Sequence, residues 1–175
     1  MTRLARLNIG CGANPPPGMI NVDIVALPGV HVIADLDQPW PFADGAAAQI
    51  IASHVFEHLA QPVTFMREAH RVLIPDGTLD IRVPYYRHVF AFTDPTHKRF
   101  CTELTWDYWI PGRDLHTAYG AGFGSGDGRN VYSMERLSLN GYQQEELQAV
   151  LVKEGGEDAS PALLAQEGPQ DNSPA

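Results

Sequence analysis

The stretch "LNIGCGANPPPGMINVDI", residues 7–24, decides how the rest of the chain is read. An apolar run that begins at Leu4 ends at Ile9. Gly10 and Gly12 follow, one residue apart, and then Pro15, Pro16 and Pro17 in succession. A second apolar run, 19–24, resumes at once and closes on Asp23 and Ile24. Strand, glycine turn and strand predict a backbone that comes close to a ligand, because glycine adopts turn conformations and carries no side chain to obstruct contact.

The prolines limit what that ligand can be. A diphosphate is held by free N–H groups at a helix N-terminus, and proline has no N–H to offer. The dinucleotide fingerprint also requires a third glycine where Pro15 stands, and an acid about 20 residues further on. Asp23 comes too early for that spacing. An NAD or nucleotide-sugar enzyme is therefore disfavoured. An adenosine compound without phosphate fits better, and S-adenosylmethionine is such a compound. Its ribose hydroxyls want a carboxylate after the second strand, where Asp23 stands. Its adenine wants an acceptor after the third, where Asp35 stands.

Further along the chain, "GVHVIADL" (29–36) predicts a third strand, and 46–56 a fourth, centred on Gln49–Ser53. Pro62 suits the first turn of a helix. Val63, Met66, Ala69, Val72 and Leu73 give that helix one apolar face, and "PDG" (75–77) is expected to stop it. "TLDIRVP" (78–84) alternates like a strand. Residues 131–154 read as a hairpin about Asn140-Gly141. The pattern predicts a Rossmann-like, doubly wound α/β sheet, mostly parallel, with an antiparallel C-terminal hairpin. Residues 1–154 form one compact domain, in which 85–130, aromatic and glycine-rich, make a lid or acceptor region. Thr102 is placed to cap a short helix carrying Leu104, Trp106 and Trp109. Residues 155–175, rich in Gly, Pro, Ser and acids, are expected to be a disordered acidic tail. The link from first to second strand is unusually short for a parallel pair. It predicts a thinly covered sheet face and, through that face, a homodimer.

The formal net charge is −9 over 175 residues. Glu154, Glu157, Asp158, Glu167 and Asp171 supply five of those charges without an intervening Lys or Arg. No basic stripe stands out, which argues against a nucleic-acid partner. Cys11 and Cys101 lie far apart with no CxxC spacing, as in a reducing compartment. No run approaches the length of a membrane span. A cytoplasmic location without membrane contact is the expectation.

The blocks "LNIGCG", "NVDI", "ADLDQPWPF", "IIASHVFEHL", "REAHRVLIPDGTLDIRVP" and "DPTHKRF" occur in that order over residues 4–100. Together they resemble the class I S-adenosylmethionine-dependent methyltransferases, most closely the group labelled type eleven and its compact bacterial and phage-associated relatives. The resemblance implies S-adenosylmethionine as cofactor, with Gly10, Cys11 and Gly12 lining it and Asn8 where many relatives have an acid. It implies that Asp23 takes the ribose and that Asp35 and Leu36 border the adenine. Ser53 and His54, after the fourth strand, face cofactor and acceptor, and Glu57 and His58 follow on the next turn. "RVLIPDG" departs from the usual "RVLKPGG" at Ile74 and Asp76, in a structural turn.

Transfer of a methyl group mainly requires alignment of the two reactants. A hydroxyl acceptor also needs a base, for which His54, His97 and Asp94 qualify. The resemblance points to a small-molecule or saccharide acceptor. The competing reading is a non-catalytic binding or protein-interaction domain that kept the fold. His54 and His58 stand at i and i+4, a spacing that suits a metal pair. The sequence places no third ligand, so no metal is expected.

Overall fold

The structure, a computed structural model, describes residues 4–13, 15–123, 132–140 and 145–154. Seven strands form one sheet in the order β3-β2-β1-β4-β5-β7-β6. They are β1 (Ala5–Ile9), β2 (Ile20–Asp23), β3 (Val32–Ile33), β4 (Ala47–Ser53), β5 (Leu73–Pro84), β6 (Tyr132–Asn140) and β7 (Glu146–Lys153). The pairs among β1 to β5 are parallel, and β7 runs antiparallel to both β5 and β6. The strand order reverses between β1 and β4, the switch point where ligands of open α/β sheets bind.

Several elements differ from the sequence expectation. The third strand shrinks from 29–36 to the two residues of β3, because Val32 and Ile33 alone pair with β2. The helix α1 (Pro62–Val72) ends before the "PDG" stretch, where Leu73 turns to extended geometry. That stretch lies inside β5, as a register irregularity opposite Ala47 and Gln49, and Asp76 takes a left-handed conformation there. The 85–130 region holds α2 (Phe90–Thr93), a 3-10 helix over Glu103–Trp109 and α3 (Asp114–Phe123). Thr102 caps the 3-10 helix with a reciprocal capping box to Thr105. Trp106 and Trp109 are buried on it, while Leu104 is exposed. Gly141 of the expected hairpin turn, residues 124–130 and the tail 155–175 lie outside the described residues.

Side chains alternate across a sheet. On one face Leu7, Ile9, Ile50, Ala52, Leu79, Ile81, Leu147, Ala149 and Leu151 are all essentially buried. They join Phe65, Met66, Ala69 and Val72 of α1 and the 3-10 helix in a single core. Trp40, Phe65, Phe56 and Trp106 run through it, the first two contacts edge to face and the last tilted, with successive centroids 5.3, 5.7 and 5.2 Å apart. Each such pair contributes roughly 0.5–1.5 kcal/mol beyond its buried area.

Among the described residues the other face has no helix between β1 and β2, β2 and β3, or β3 and β4. It is polar. Arg6 Nε donates to Gln49 Oε1 (2.8 Å) and Asn8 Nδ2 to Asn21 Oδ1 (3.3 Å). Gln148 Nε2 donates to Asp80 Oδ1 (2.8 Å), and Asn140 Nδ2 to Gln148 Oε1 (2.9 Å). Buried polar groups cost little when paired in this way. Cross-strand hydrogen bonds thus satisfy the polar groups of this face.

The α1 helix also anchors the loop ahead of β4. Asp37 accepts from Ala60 N and Gln61 N (2.9 and 2.7 Å), N–H groups just before the first helical residue, Pro62. Arg71 donates to the carbonyls of Trp40 and Phe42 and pairs with Glu68 and Asp44. One guanidinium therefore satisfies two carbonyls that the proline-broken "PWPF" loop cannot pair in a ladder.

Candidate active site

At the carboxyl end of β4 the chain turns sharply. His54 has φ 54°, a left-handed conformation that a non-glycine residue occupies at a cost, and its N–H bonds Arg82 O at 2.8 Å. Strain of this kind gathers at functional sites. A 3-10 turn over Phe56–His58 follows. His54, Glu57 and His58 are thereby grouped beside the switch point.

The glycine turn after β1 lies against this corner. Gly10 and Gly12 have φ near +60°, and a Cβ on Gly10 would stand 2.2 Å from Val55 Cγ2. Cys11 N bonds Val22 O, and Gly12 N bonds Asp23 Oδ2 at 2.9 Å. Asp23 Oδ1 also accepts from Val25 N at 3.1 Å. The carboxylate is thus fixed by two main-chain donors, and lone pairs remain for a ligand hydroxyl. Asp35 Oδ1 accepts from Asp37 N at 2.9 Å.

Two cavities open here. The first, about 340 Å³, is lined by Gly10, Asp23, Asp35, Leu36 and His54, with Ile24, Val55 and Lys98 among the other walls. Asn8, Cys11, Gly12 and Ser53 are not on its walls. Asn8 is engaged with Asn21 on the polar sheet face, and Gly12 acts through its N–H on Asp23. Burial and the nearby Asp23 carboxylate raise the Cys11 thiol above its usual range. The second cavity, about 670 Å³, is lined by His54, Glu57, His58, Asp94, His97 and Glu146 with Pro84, Phe90 and Pro95. Both volumes fall in the range of small-molecule sites. His54 and His58 line both cavities.

His54 sits between two carboxylates. Its Nδ1 is 3.4 Å from Glu57 Oε1 and its Nε2 is 3.2 Å from Glu146 Oε2. Glu57, ahead of Glu146, raises the affinity of the imidazole for a proton. Asp94 accepts from Thr96 N and Thr96 Oγ1, both at 2.7 Å, and these bonds hold its carboxyl below the usual range. His97 Nδ1 lies 2.9 Å from Ala91 O.

Sequence reasoning gave Glu57 no role and missed Val55, Thr96 and Glu146. Glu146 reaches His54 only because Pro84 and Glu146 pair across β5 and β7, which no local signal encodes. Val55 could have been read from the glycine opposite it only with the turn already built.

Residues 6–81 match the family profile of the methyltransferase domain. This match and the shared fold support a class I S-adenosylmethionine-dependent methyltransferase and imply S-adenosylmethionine binding. Solved structures share the fold at low identity. A candidate methyltransferase from Bacillus halodurans is 14% identical, with 86% of this chain and 93% of that one covered, at TM-score 0.59. A SAM-dependent methyltransferase from Aquifex aeolicus is 14% identical, covering 86% and 82%, at TM-score 0.52. An S-adenosylmethionine-dependent methyltransferase from Mesorhizobium loti is 12% identical, covering 85% and 90%, at TM-score 0.51. Among curated proteins none matches the chain significantly.

Proposed function

We propose that the protein methylates a small-molecule or saccharide acceptor held in the 670 Å³ cavity, with S-adenosylmethionine in the 340 Å³ cavity. The observation that carries this reading is the shared wall: His54 and His58 line both spaces.

The donor set of the smaller cavity suits this cofactor. Three carboxylates, Asp23, Asp35 and Asp37, line it against one ammonium, Lys98. Together with the prolines of the turn they disfavour a diphosphate and favour a ligand with hydroxyl donors and positive charge. Asp23 would hold the ribose, while Asp35 and Leu36 would border the adenine. Gly10 would let the ligand lie along the main chain. When bound, S-adenosylmethionine supplies a methyl group activated by its sulfonium.

The larger cavity mixes Phe90, Pro84 and Pro95 with histidines and acids, as a hydroxylated acceptor of mixed polarity requires. For a hydroxyl acceptor, His54 is the group that takes the proton, and Glu57 and Glu146 stabilise the imidazolium that forms. Asp94 and His97 would orient the acceptor. The 85–109 segment would exclude water above the site and strengthen those polar contacts.

The deciding experiment supplies radiolabelled S-adenosylmethionine with a panel of hydroxylated small molecules and saccharides, and compares wild type with His54→Ala. Label should transfer to at least one acceptor with wild type, and transfer should drop at least a hundredfold with the variant while S-adenosylhomocysteine still binds. Transfer that survives His54→Ala at full rate would remove His54 from the chemistry.

A further inference from the structure

Glu57 is the most unusual group in the site. Its side chain is 2% exposed, and neither carboxylate oxygen has a hydrogen-bond partner among the described residues. His54 Nδ1 approaches Oε1 to 3.4 Å, an ion pair only when the imidazole is protonated, and makes no hydrogen bond to it. A buried carboxylate left so is expensive unless a cation completes it.

Two histidines face the same point. One ligand atom from each of Glu57, His58 and His97 lies within 4.8 Å of the others. The two rings meet edge to face with centroids 4.8 Å apart. Their hydrogen bonds fix which nitrogen is free. His97 Nδ1 lies 2.9 Å from Ala91 O, and a carbonyl only accepts, so Nδ1 carries the proton and Nε2 keeps its lone pair. Thr96 Oγ1 lies 2.7 Å from Asp94 Oδ1 and 2.9 Å from His58 Nδ1. An ionised carboxylate only accepts, so the single hydroxyl proton goes to Asp94, and His58 Nδ1 must donate to Thr96. Nε2 of His58 is free in the same way.

Metal-bound histidines usually donate their other ring N–H to a carbonyl or into a carboxylate-linked relay, which sets the tautomer. Here both arrangements occur, one for each ring. We infer that Glu57, His58 and His97 form a binding site for one divalent first-row transition-metal ion, with Thr96, Asp94 and Ala91 O as its outer support. Two imidazoles and a carboxylate suit zinc, cobalt or iron(II). Donors about 2.1 Å from a tetrahedral ion are about 3.4 Å apart. Closing the set therefore takes shifts of about 1 Å, which side-chain rotation supplies. All three donors line the 670 Å³ cavity, so a further coordination position is reached from there. The site stands on its own geometry and does not depend on the methyl-transfer reading.

The test titrates the full, metal-stripped chain with cobalt(II) and follows visible absorption, with no cofactor present. One cobalt per chain should bind with d–d bands and be displaced by zinc. His97→Ala, in an exposed loop, should weaken binding at least a hundredfold. Thr96→Val keeps every ligand but loses the bond that sets the His58 tautomer, and should weaken binding about tenfold. Glu57→Gln should weaken cobalt binding at least a hundredfold while circular dichroism stays native. Absence of bands in wild type would overturn the site. So would binding that persists at full strength in His97→Ala, or affinity unchanged in Thr96→Val.

Discussion

Replacing Gly10 with alanine tests how the glycine turn is built. Two costs add. The left-handed φ of +62° is unfavourable by roughly 1–2 kcal/mol for a residue with a Cβ. The new Cβ would also stand 2.2 Å from Val55 Cγ2, far inside contact distance. Overpacking of this kind costs roughly 1–3 kcal/mol. Gly10→Ala should therefore lose about 2–5 kcal/mol of stability. Gly12 is the internal control. Its φ is +63°, but a Cβ there meets nothing within 4 Å, so Gly12→Ala should lose only the conformational part, about 1–2 kcal/mol. The double variant Gly10→Ala/Val55→Ala relieves the clash, so the two changes should couple favourably by about 1 kcal/mol or more. Urea unfolding of wild type, Gly10→Ala, Val55→Ala and the double variant gives the cycle, with Gly12→Ala measured beside it. Equal losses at Gly10 and Gly12, or no coupling with Val55, would refute the close-packed turn. A bulkier residue at 10, such as valine, is expected to impair folding as well as cofactor binding.

Asp23→Ala should weaken S-adenosylmethionine binding by roughly 1–3 kcal/mol in calorimetry, since it removes the acceptor proposed for the ribose; unchanged affinity would place the cofactor elsewhere. Arg71 holds the Glu68 carboxyl below its usual range. That stabilisation is complete above the unfolded value of about 4.3 and is lost as pH falls through the lower folded value. Glu68→Gln should thus flatten the acid limb of the stability profile below about pH 4, and a limb of unchanged slope would contradict the pairing. Burial pushes the Cys101 thiol up to about 12. At pH 8 a maleimide should label Cys11 alone in the native protein and Cys101 only after denaturant; native labelling of both would show that the 3-10 helix opens readily.

Much of the fold is legible in the sequence because the signals are local. The apolar runs ending at Ile9 and Asp23, Pro62 at the start of α1 and the alternation of 78–84 each give one element by its own chemistry. Thr102 is readable as a cap for the same reason. The third strand misled because Gly29–Leu36 is apolar enough for a full strand, while only Val32 and Ile33 find a partner. "PDG" misled because a stop signal for a helix can equally be an irregularity inside a strand. The polar sheet face was hidden in single asparagines and glutamines, whose partners lie across strands. In the site, the glycines, Asp23 and Asp35 stand at strand ends and announce themselves. The grouping of Glu57, His58 and His97 does not, because Thr96 and His97 come from a loop some forty residues further on.

The one-sided helix layer makes the sheet mechanically graded. At the β5–β7–β6 end, long antiparallel strands are clamped by α1 and the 3-10 helix. At the other end, β3 is held by two residue pairs and β2 by short loops with no helix above them. Amide-exchange protection should fall off from β5 toward β3, because local opening is easier where few buried contacts resist it. The cavity proposed for the cofactor takes its Asp23, Asp35 and Leu36 walls from this weaker end. Ligand that binds only the folded edge stabilises it by mass action. With S-adenosylmethionine seated there as proposed, the ligand would brace the edge of the sheet that has no crossover helix among the described residues.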